Sequence, residues 1–293
     1  MRILIIGATG FLGKKLFTIL GKKNEVFGTS FSKSEAGFLK IDRTKAGEVK
    51  KLLEKINPDV LIDANGISNM DDCEVNLNDC WQSNVEGTKN LADACRAAGK
   101  KFVFISTDAV FYDKSKEFLE ETAKREPVNY YAESKLAAEK YIENNLKNFL
   151  ILRPSTLYGY NGPNDKIGFT NFVISNLSSG KEIKIVDDQM SCPTLIDDVA
   201  IALEKLLEKN QPGVFNSVGK DFVSKYDFAL KIAEVFGLDK SKIIRAKLSE
   251  MKFEAPRPAS LNLSIEKIKR LGISMRGVED GLREMKKQMD ENQ

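Results

Sequence analysis

Tyr131 and Lys135 stand four residues apart in Tyr131-Ala132-Glu133-Ser134-Lys135, a spacing that puts both on one face of a helix, where they can act on one substrate. A free phenol titrates near ~10 and is a poor acid–base catalyst at neutral pH, but a neighbouring ammonium favours the phenolate and lowers that value. Lys135 is therefore expected to tune Tyr131. The same spacing occurs on ordinary amphipathic helices with an exposed lysine, so its meaning depends on the company it keeps. That company includes Phe102-Val103-Phe104-Ile105-Ser106-Thr107-Asp108, an apolar strand with hydroxyl residues at its C-terminal end, the edge at which α/β proteins build their sites. Thr107 is placed there to orient a carbonyl.

A second constellation lies at the start of the chain. Gly7-Ala8-Thr9-Gly10-Phe11-Leu12-Gly13 follows the run Arg2-Ile3-Leu4-Ile5-Ile6 and opens a helix. Glycines let the backbone turn tightly and approach a pyrophosphate, whose charge is favoured by free amides and the positive end of the helix. Gly7, Thr9, Gly10, Phe11, Leu12 and Gly13 are thus read as cofactor contacts. At the end of the second strand an acidic residue would accept from ribose hydroxyls and repel a 2′-phosphate. Here the segment reads Thr29-Ser30-Phe31-Ser32-Lys33, so Ser30, Ser32 and Lys33 point to NADPH, with NADH left open.

Composition removes other chemistries. None of the 293 residues is histidine, which excludes His-based triads, His-ligated zinc and an imidazole base. Cys73, Cys80, Cys95 and Cys192 are too few and too irregular for a disulfide scaffold or a zinc site and are read as reduced thiols; no metal is expected. The net charge of +3, from 45 basic and 42 acidic residues, provides no global field for nucleic acid. A chain 42% hydrophobic and 30% charged is globular rather than disordered or membrane-bound. The apolar start runs directly into glycine and has no signal-peptide pattern, so a cytoplasmic location is expected.

The elements that must hold these residues alternate. Apolar runs at 3–6, 25–29, 60–64, 102–106 and 149–153 read as buried strands, and 13–20, 46–56, 83–98 and 131–144 have helical spacing. This βαβα rhythm predicts an α/β fold, a Rossmann doubly wound parallel sheet with a smaller C-terminal α/β substrate domain. The expected division is a dinucleotide-binding domain over 1–153, with a returning segment near 185–215, and a mainly substrate-binding domain over 154–293. In the latter, helices are expected at 169–178, 196–207, 225–236 and 265–271, and the charged stretch 279–293 is expected to fray.

With its glycine motif, strand-end Ser/Thr, Tyr-x-x-x-Lys and the helix beginning Asn84-Val85-Glu86-Gly87-Thr88, the chain resembles the extended short-chain dehydrogenase/reductase family over almost its whole length. The resemblance implies that Thr107 positions the carbonyl, Tyr131 supplies the proton, and Lys135 tunes Tyr131 and holds the nicotinamide ribose. It also implies that Asn84 supports the proton relay and Asp42 contacts the adenine. Within the family the chain is most similar to the dTDP-4-dehydrorhamnose reductases, through Ile105-Ser106-Thr107-Asp108-Ala109-Val110-Phe111, Asp188-Gln189-Met190-Ser191-Cys192-Pro193-Thr194 and Arg257-Pro258-Ala259-Ser260-Leu261. Arg257 offers a planar fork of donors suited to the diphosphate of a nucleotide-sugar, and Ser260 is taken as a second substrate contact.

Two positions depart from that pattern. Thr156 stands where Trp is frequent, and Ser191 where Gly is usual. Nucleotide-sugar dehydratases, by contrast, carry an Asp-Glu pair after the strand-end threonine, which reads Asp108-Ala109 here; a carbonyl reduction without elimination is the simpler chemistry. The implied reaction is NADPH-dependent reduction of the C4 carbonyl of a dTDP-4-dehydro-6-deoxyhexose, as in dTDP-rhamnose biosynthesis. The expected partner is the nucleotide-sugar substrate, with no nucleic acid and no membrane; a homodimer is open. The alternatives are a nucleotide-sugar epimerase and a non-catalytic regulatory subunit of the methionine adenosyltransferase type. Trp81 is read as packing.

Overall fold

The computed structural model describes residues 1–30, 37–112, 118–162 and 168–292. In chain order the strands are β1 (Arg2–Ile6), β2 (Glu25–Ser30), β3 (Leu39–Lys40), β4 (Val60–Asp63), β5 (Lys101–Ile105), β6 (Phe149–Arg153), β7 (Leu157–Tyr158), β8 (Ile183–Val186), β9 (Met190–Ser191), β10 (Thr194–Leu195), β11 (Gly213–Asn216), β12 (Val223–Ser224) and β13 (Ile243–Ala246). The helices are α1 (Phe11–Leu20), α2 (Ala46–Ile56), α3 (Met70–Val75), α4 (Leu77–Trp81), α5 (Gly87–Ala97), α6 (Tyr130–Asn145), α7 (Phe169–Ser178), α8 (Ile196–Glu208), α9 (Lys225–Phe236), α10 (Glu266–Lys269) and α11 (Val278–Asp290).

Seven strands form one parallel sheet in the order β11-β6-β5-β4-β1-β2-β3. Strand residues alternate in direction, so the continuous apolar runs must be covered on both faces. Ile3 and Ile5 of β1 pack with Leu12 and Leu16 of α1 and Val199 and Leu203 of α8. Leu4 and Ile6 face the other way, towards Leu53 of α2, Leu91 of α5 and Ile142 of α6. The order reverses between β1 and β4, and the crevice outside the strand C-termini at such a reversal is where dinucleotides bind. This is the doubly wound fold that the strand–helix rhythm predicts.

The chain leaves the sheet after β6 and returns to it. α8 lies on α1, and β11 adds to β6 with Val214 opposite Ile151. The smaller lobe has its own core, in which Val173 and Leu177 of α7, Ile183 and Ile185 of β8, Phe228 and Ile232 of α9 and Leu282 and Met285 of α11 meet. β8 pairs in parallel with β13 beneath these helices.

The fraying expected for 279–293 is corrected by α11. Val278, Leu282 and Met285 recur at spacings of four and three and are all buried, while the many charges occupy the outer face. Lys286 Nζ donates to Val235 O across 3.0 Å, tying α11 to α9. The single helix expected over 83–98 is also interrupted. Gln82–Glu86 form a π-helical turn between α4 and α5, and the short α3 and α4 before it carry too few turns for a readable period. All four cysteines are free and buried. No helix among the described residues is long and apolar enough to cross a membrane.

Candidate active site

β1 delivers the chain into the glycine turn. Gly7 has φ +81°, and a Cβ there would lie 2.8 Å from Asn65 Cβ. A Cβ on Gly13 would stand 2.0 Å from Gly7 O, so α1 can seat itself on the turn only with glycine at that position. Thr29 fixes the turn from β2, its Oγ1 accepting from Gly7 N–H at 3.2 Å and its carbonyl from Ala8 N–H at 3.0 Å. Gly10 caps α1 with no side chain over its amides, leaving the N–H groups of the first turn, which carries Phe11, Leu12 and Gly13, open towards the turn that holds Thr9. Backbone cradle, close approach and open amides together fit a dinucleotide's pyrophosphate.

Of the residues assigned to the adenosine end, Ser30 is buried at the end of β2, and Ser32 and Lys33 lie outside the described residues. Asp42 shapes the turn after β3, accepting from Thr44 Oγ1 at 2.6 Å and Thr44 N–H at 3.0 Å. These bonds, the hydroxyl's above all, hold its carboxyl below the usual carboxylate range.

The C-terminal end of β5 and the start of α6 bring the proton-handling residues together. Asn129 caps α6 by accepting from Ala132 N–H at 2.9 Å. Thr107 Oγ1 accepts from Ala109 N–H at 3.2 Å and donates to Asp108 Oδ1 at 3.1 Å. Thr107 is also near enough to the Tyr131 phenol to act on its titration. Lys135 Nζ donates to Ile105 O at 2.7 Å and sits 4.0 Å above the Phe104 ring.

The titration of Tyr131 runs against the direction that the Tyr/Lys spacing predicts. Burial pushes the phenol above its ordinary value, the negative field of Asp108 adds to this, and Thr107 only partly opposes it. Lys135, aimed at the Ile105 carbonyl, does not reverse the shift. Its own ammonium is pulled down by burial to about 8, with Asp63 acting in the opposite sense. Burial thus favours the neutral phenol of Tyr131.

Asn84 sits in the π-helical turn. Its Nδ2 donates to Ile67 O at 2.9 Å and to Ser134 Oγ at 3.0 Å, and its Oδ1 accepts from Ile67 N–H at 2.9 Å. It therefore clamps the loop after β4 to α6, one residue from Lys135.

The two late motifs also converge. Met190 N–H donates to Ala259 O at 2.7 Å, Leu261 N–H to Met190 O at 3.2 Å, and Gln189 Nε2 to Pro258 O at 3.3 Å. Arg257 Nη2 meets Asp71 Oδ2 at 2.6 Å, and its guanidinium lies 4.5 Å over the Phe253 ring. The other half of the fork, Nη1, is buried with no hydrogen-bond partner among the described residues, as is Ser260 Oγ. Buried donors of this kind ask for an acceptor from outside the chain.

Sequence reasoning missed Asp71, Ser155 and Lys225. Asp71 is 186 positions from Arg257 and gives no local signal. Lys225 gives one: it is the first residue of α9, where the helix dipole disfavours a cation. Its Nζ donates to Thr156 Oγ1 at 3.0 Å and lies 5.1 Å from the Phe169 ring centre. Burial lowers its ammonium to about 8, against the raising field of Asp108.

Over residues 1–291 the sequence matches the RmlD substrate binding domain family. The chain belongs to that family. It is a branch of the extended short-chain dehydrogenases/reductases, and the family and its structural neighbours are NAD(P)H-dependent reductases. A probable low-salt glycan biosynthesis reductase, Agl14 of Haloferax volcanii, is 29% identical over 288 residues, 96% of each chain. The methionine adenosyltransferase 2 subunit beta of Rattus norvegicus is 28% identical over 281 residues, 94% of this chain and 84% of that one. Among solved structures, a dTDP-4-dehydrorhamnose reductase from Clostridium acetobutylicum matches with a TM-score of 0.90 at 29% identity, covering 99% of this chain and 100% of the other. The Bacillus anthracis dTDP-4-dehydrorhamnose reductase in complex with NADP matches with a TM-score of 0.89 at 26% identity, over 98% and 99% of the two chains.

Proposed function

We propose that this family member reduces the C4 carbonyl of a dTDP-4-dehydro-6-deoxyhexose with NADPH, the chemistry of a dTDP-4-dehydrorhamnose reductase. The observation that carries the reading is Tyr131, a buried phenol beside Thr107 at the C-terminal end of β5, with Lys135 one turn further along α6 and bonded to Ile105 O. When bound, NADPH supplies the hydride that reaches C4. Thr107, its hydroxyl hydrogen turned from Asp108 to the substrate, and Tyr131 hold the carbonyl oxygen and favour the charge that develops on it. Tyr131 then gives its phenolic proton to that oxygen, leaving an alcohol. Lys135 commits one proton to Ile105 O and has two for the ribose hydroxyls, while Asn84 keeps the loop and helix in register.

Gly7, Thr9, Gly10, Phe11, Leu12 and Gly13 receive the pyrophosphate and Asp42 the adenosine. Ser30, Ser32 and Lys33 favour the 2′-phosphate. Arg257 Nη1 and Ser260 Oγ, the buried unpaired donors, take oxygens of the nucleotide-sugar. With Ala109 after Asp108, the position at which a dehydratase carries its glutamate has no carboxylate for elimination.

The test is oxidation of NADPH and of NADH with dTDP-4-dehydro-6-deoxy-L-mannose, by wild type and Tyr131→Phe. Turnover that is faster with NADPH and is lost in the variant supports the reading. Tight cofactor binding without turnover, together with a saturable effect on a methionine adenosyltransferase, would replace it with the regulatory role.

A further inference from the structure

The two positions at which the sequence departs from the pattern of the dTDP-4-dehydrorhamnose reductases touch each other. Thr156 Oγ1 and Ser191 Oγ are 3.0 Å apart, and Lys225 Nζ is 3.0 Å from the same Thr156 oxygen. Ser191 is buried and Lys225 partly so. Where Trp and Gly are frequent, this chain has two bonded hydroxyls and a lysine from a third element, α9.

The arrangement joins the carbonyl end of the site. Thr107 Oγ1 donates to one oxygen of Asp108 and Ser155 Oγ to the other, and Ser155 precedes Thr156. Asp108 is also close enough to act on the charge of Lys225. Two bonded groups, Thr107–Asp108–Ser155 and Lys225–Thr156–Ser191, are therefore joined through the Ser155–Thr156 peptide after β6.

Counting hydrogens along the second group gives its direction. An ammonium only donates, so Thr156 Oγ1 accepts from Lys225, and its own hydrogen is directed to Ser191 Oγ. Ser191 in turn has a hydroxyl hydrogen left. Lys225 keeps two N–H donors and forms no ion pair among the described residues. The group thus ends in three donors with no further acceptor among the described residues, beside Ser155 and Asp108 at the carbonyl end of the site. An oxygen of the ligand would complete it.

In a 4-dehydro-6-deoxyhexose the carbonyl carbon has two neighbours: C3 bears a hydroxyl, and C5 bears a methyl group. A donor-lined wall beside the carbonyl suits the former. We propose that Lys225, with Ser191, is a specificity determinant that donates to the C3 oxygen of the sugar, selecting keto-sugars that keep this hydroxyl over their 3-deoxy analogues. The proposal rests on the reductase reading above and names the part of the sugar that this chain reads.

The test compares NADPH oxidation with the dTDP-linked 4-dehydro-6-deoxyhexose and with its 3-deoxy analogue, for wild type, Lys225→Met and Ser191→Ala. Wild type is expected to prefer the hydroxylated sugar by about 100-fold or more in kcat/KM, because a site built to bond a hydroxyl strongly rejects its absence. Lys225→Met should remove most of that preference through KM on the hydroxylated sugar alone, and Ser191→Ala about 10-fold of it. Equal wild-type rates on both sugars, or equal losses on both in the variants, would overturn the proposal. Ser191→Ala, an exchange of a small side chain, carries the test if Lys225→Met does not fold. If wild type turns over neither sugar, the reductase reading falls separately, and calorimetric binding of the two nucleotide-sugars still decides this one: equal affinities overturn it, and a preference lost in Ser191→Ala upholds it.

Discussion

Lys135 Nζ donates to the carbonyl oxygen of Ile105 across 2.7 Å, which pins α6 to the last residue of β5. The bond sets the height of Tyr131, one turn earlier on the same helix, relative to Thr107. It also fixes a buried ammonium whose value has fallen from 10.5 to about 8, chiefly through burial.

A lysine lowered in the folded state binds fewer protons than in the unfolded chain between those two values, so its contribution makes stability rise with pH from about 8 towards 10.5. Below about 8 the full penalty of the buried charge is present. Lys135→Met is expected to remove that share of the slope, on the order of 3 kcal/mol across the window. Denaturant unfolding of both proteins at pH 7 and pH 10 checks it; parallel pH dependences would show that the ammonium is not under strain.

Tyr131→Phe is expected to lower kcat for reduction about 10²–10⁴-fold, the usual worth of a positioned proton donor, with NADPH affinity little changed. Burial holds the phenol above its ordinary value, so wild-type reduction should not decline through ionisation of Tyr131 anywhere between pH 6 and roughly pH 10. A rate profile that falls with an apparent value near 7 and loses that limb in Tyr131→Phe would contradict the shift.

The reach of the sequence follows the range of the interactions. Gly7 and Gly13, and Tyr131 and Lys135, are near neighbours whose geometry is dictated locally, and their elements are readable from period alone. The direction in which Tyr131 titrates is set by burial among Cys73 of α3, Cys80 of α4 and Ala109, which spacing does not encode. Thr156, Ser191 and Lys225 meet across 35 and 69 positions, so their chain of donors belongs to the packing of two lobes. The π-helical turn at Gln82–Glu86 shifts the helical phase without changing composition, and so hides within an apparently continuous helix.

Arg153 and Glu139 form an ion pair in which both side chains are 0% exposed, with Nε–Oε1 at 2.9 Å and Nη2–Oε2 at 2.8 Å. It joins β6 to the middle of α6, four residues beyond Lys135. Glu139→Leu leaves a buried guanidinium with only Glu121 O as a polar partner among the described residues, takes one of two partners from Arg125, and is expected to cost about 3–5 kcal/mol. Adding Arg153→Met should recover much of this, because the apolar pair no longer carries a buried charge. Chemical denaturation of the two singles and the double measures the coupling; additive losses would mean the pair is not acting as a unit.

α11 offers the sharpest test of how the small lobe is held. Val278, Leu282 and Met285 together seal the core formed by α7, α9 and β8, and each buried side chain of this size contributes roughly 1.5–3 kcal/mol. Their sum is comparable to the whole stability of a domain. Removing residues 278–293 is therefore expected to unfold the lobe, exposing Phe228 and Ile232, while changing Lys287 and Glu291 on the outer face to Ala should shift stability by less than about 0.5 kcal/mol. Leu282→Ala alone should cost about 2–5 kcal/mol. Differential scanning calorimetry of Leu282→Ala and of the Lys287→Ala/Glu291→Ala variant separates the two faces; similar melting temperatures would mean that α11 does not seal the core.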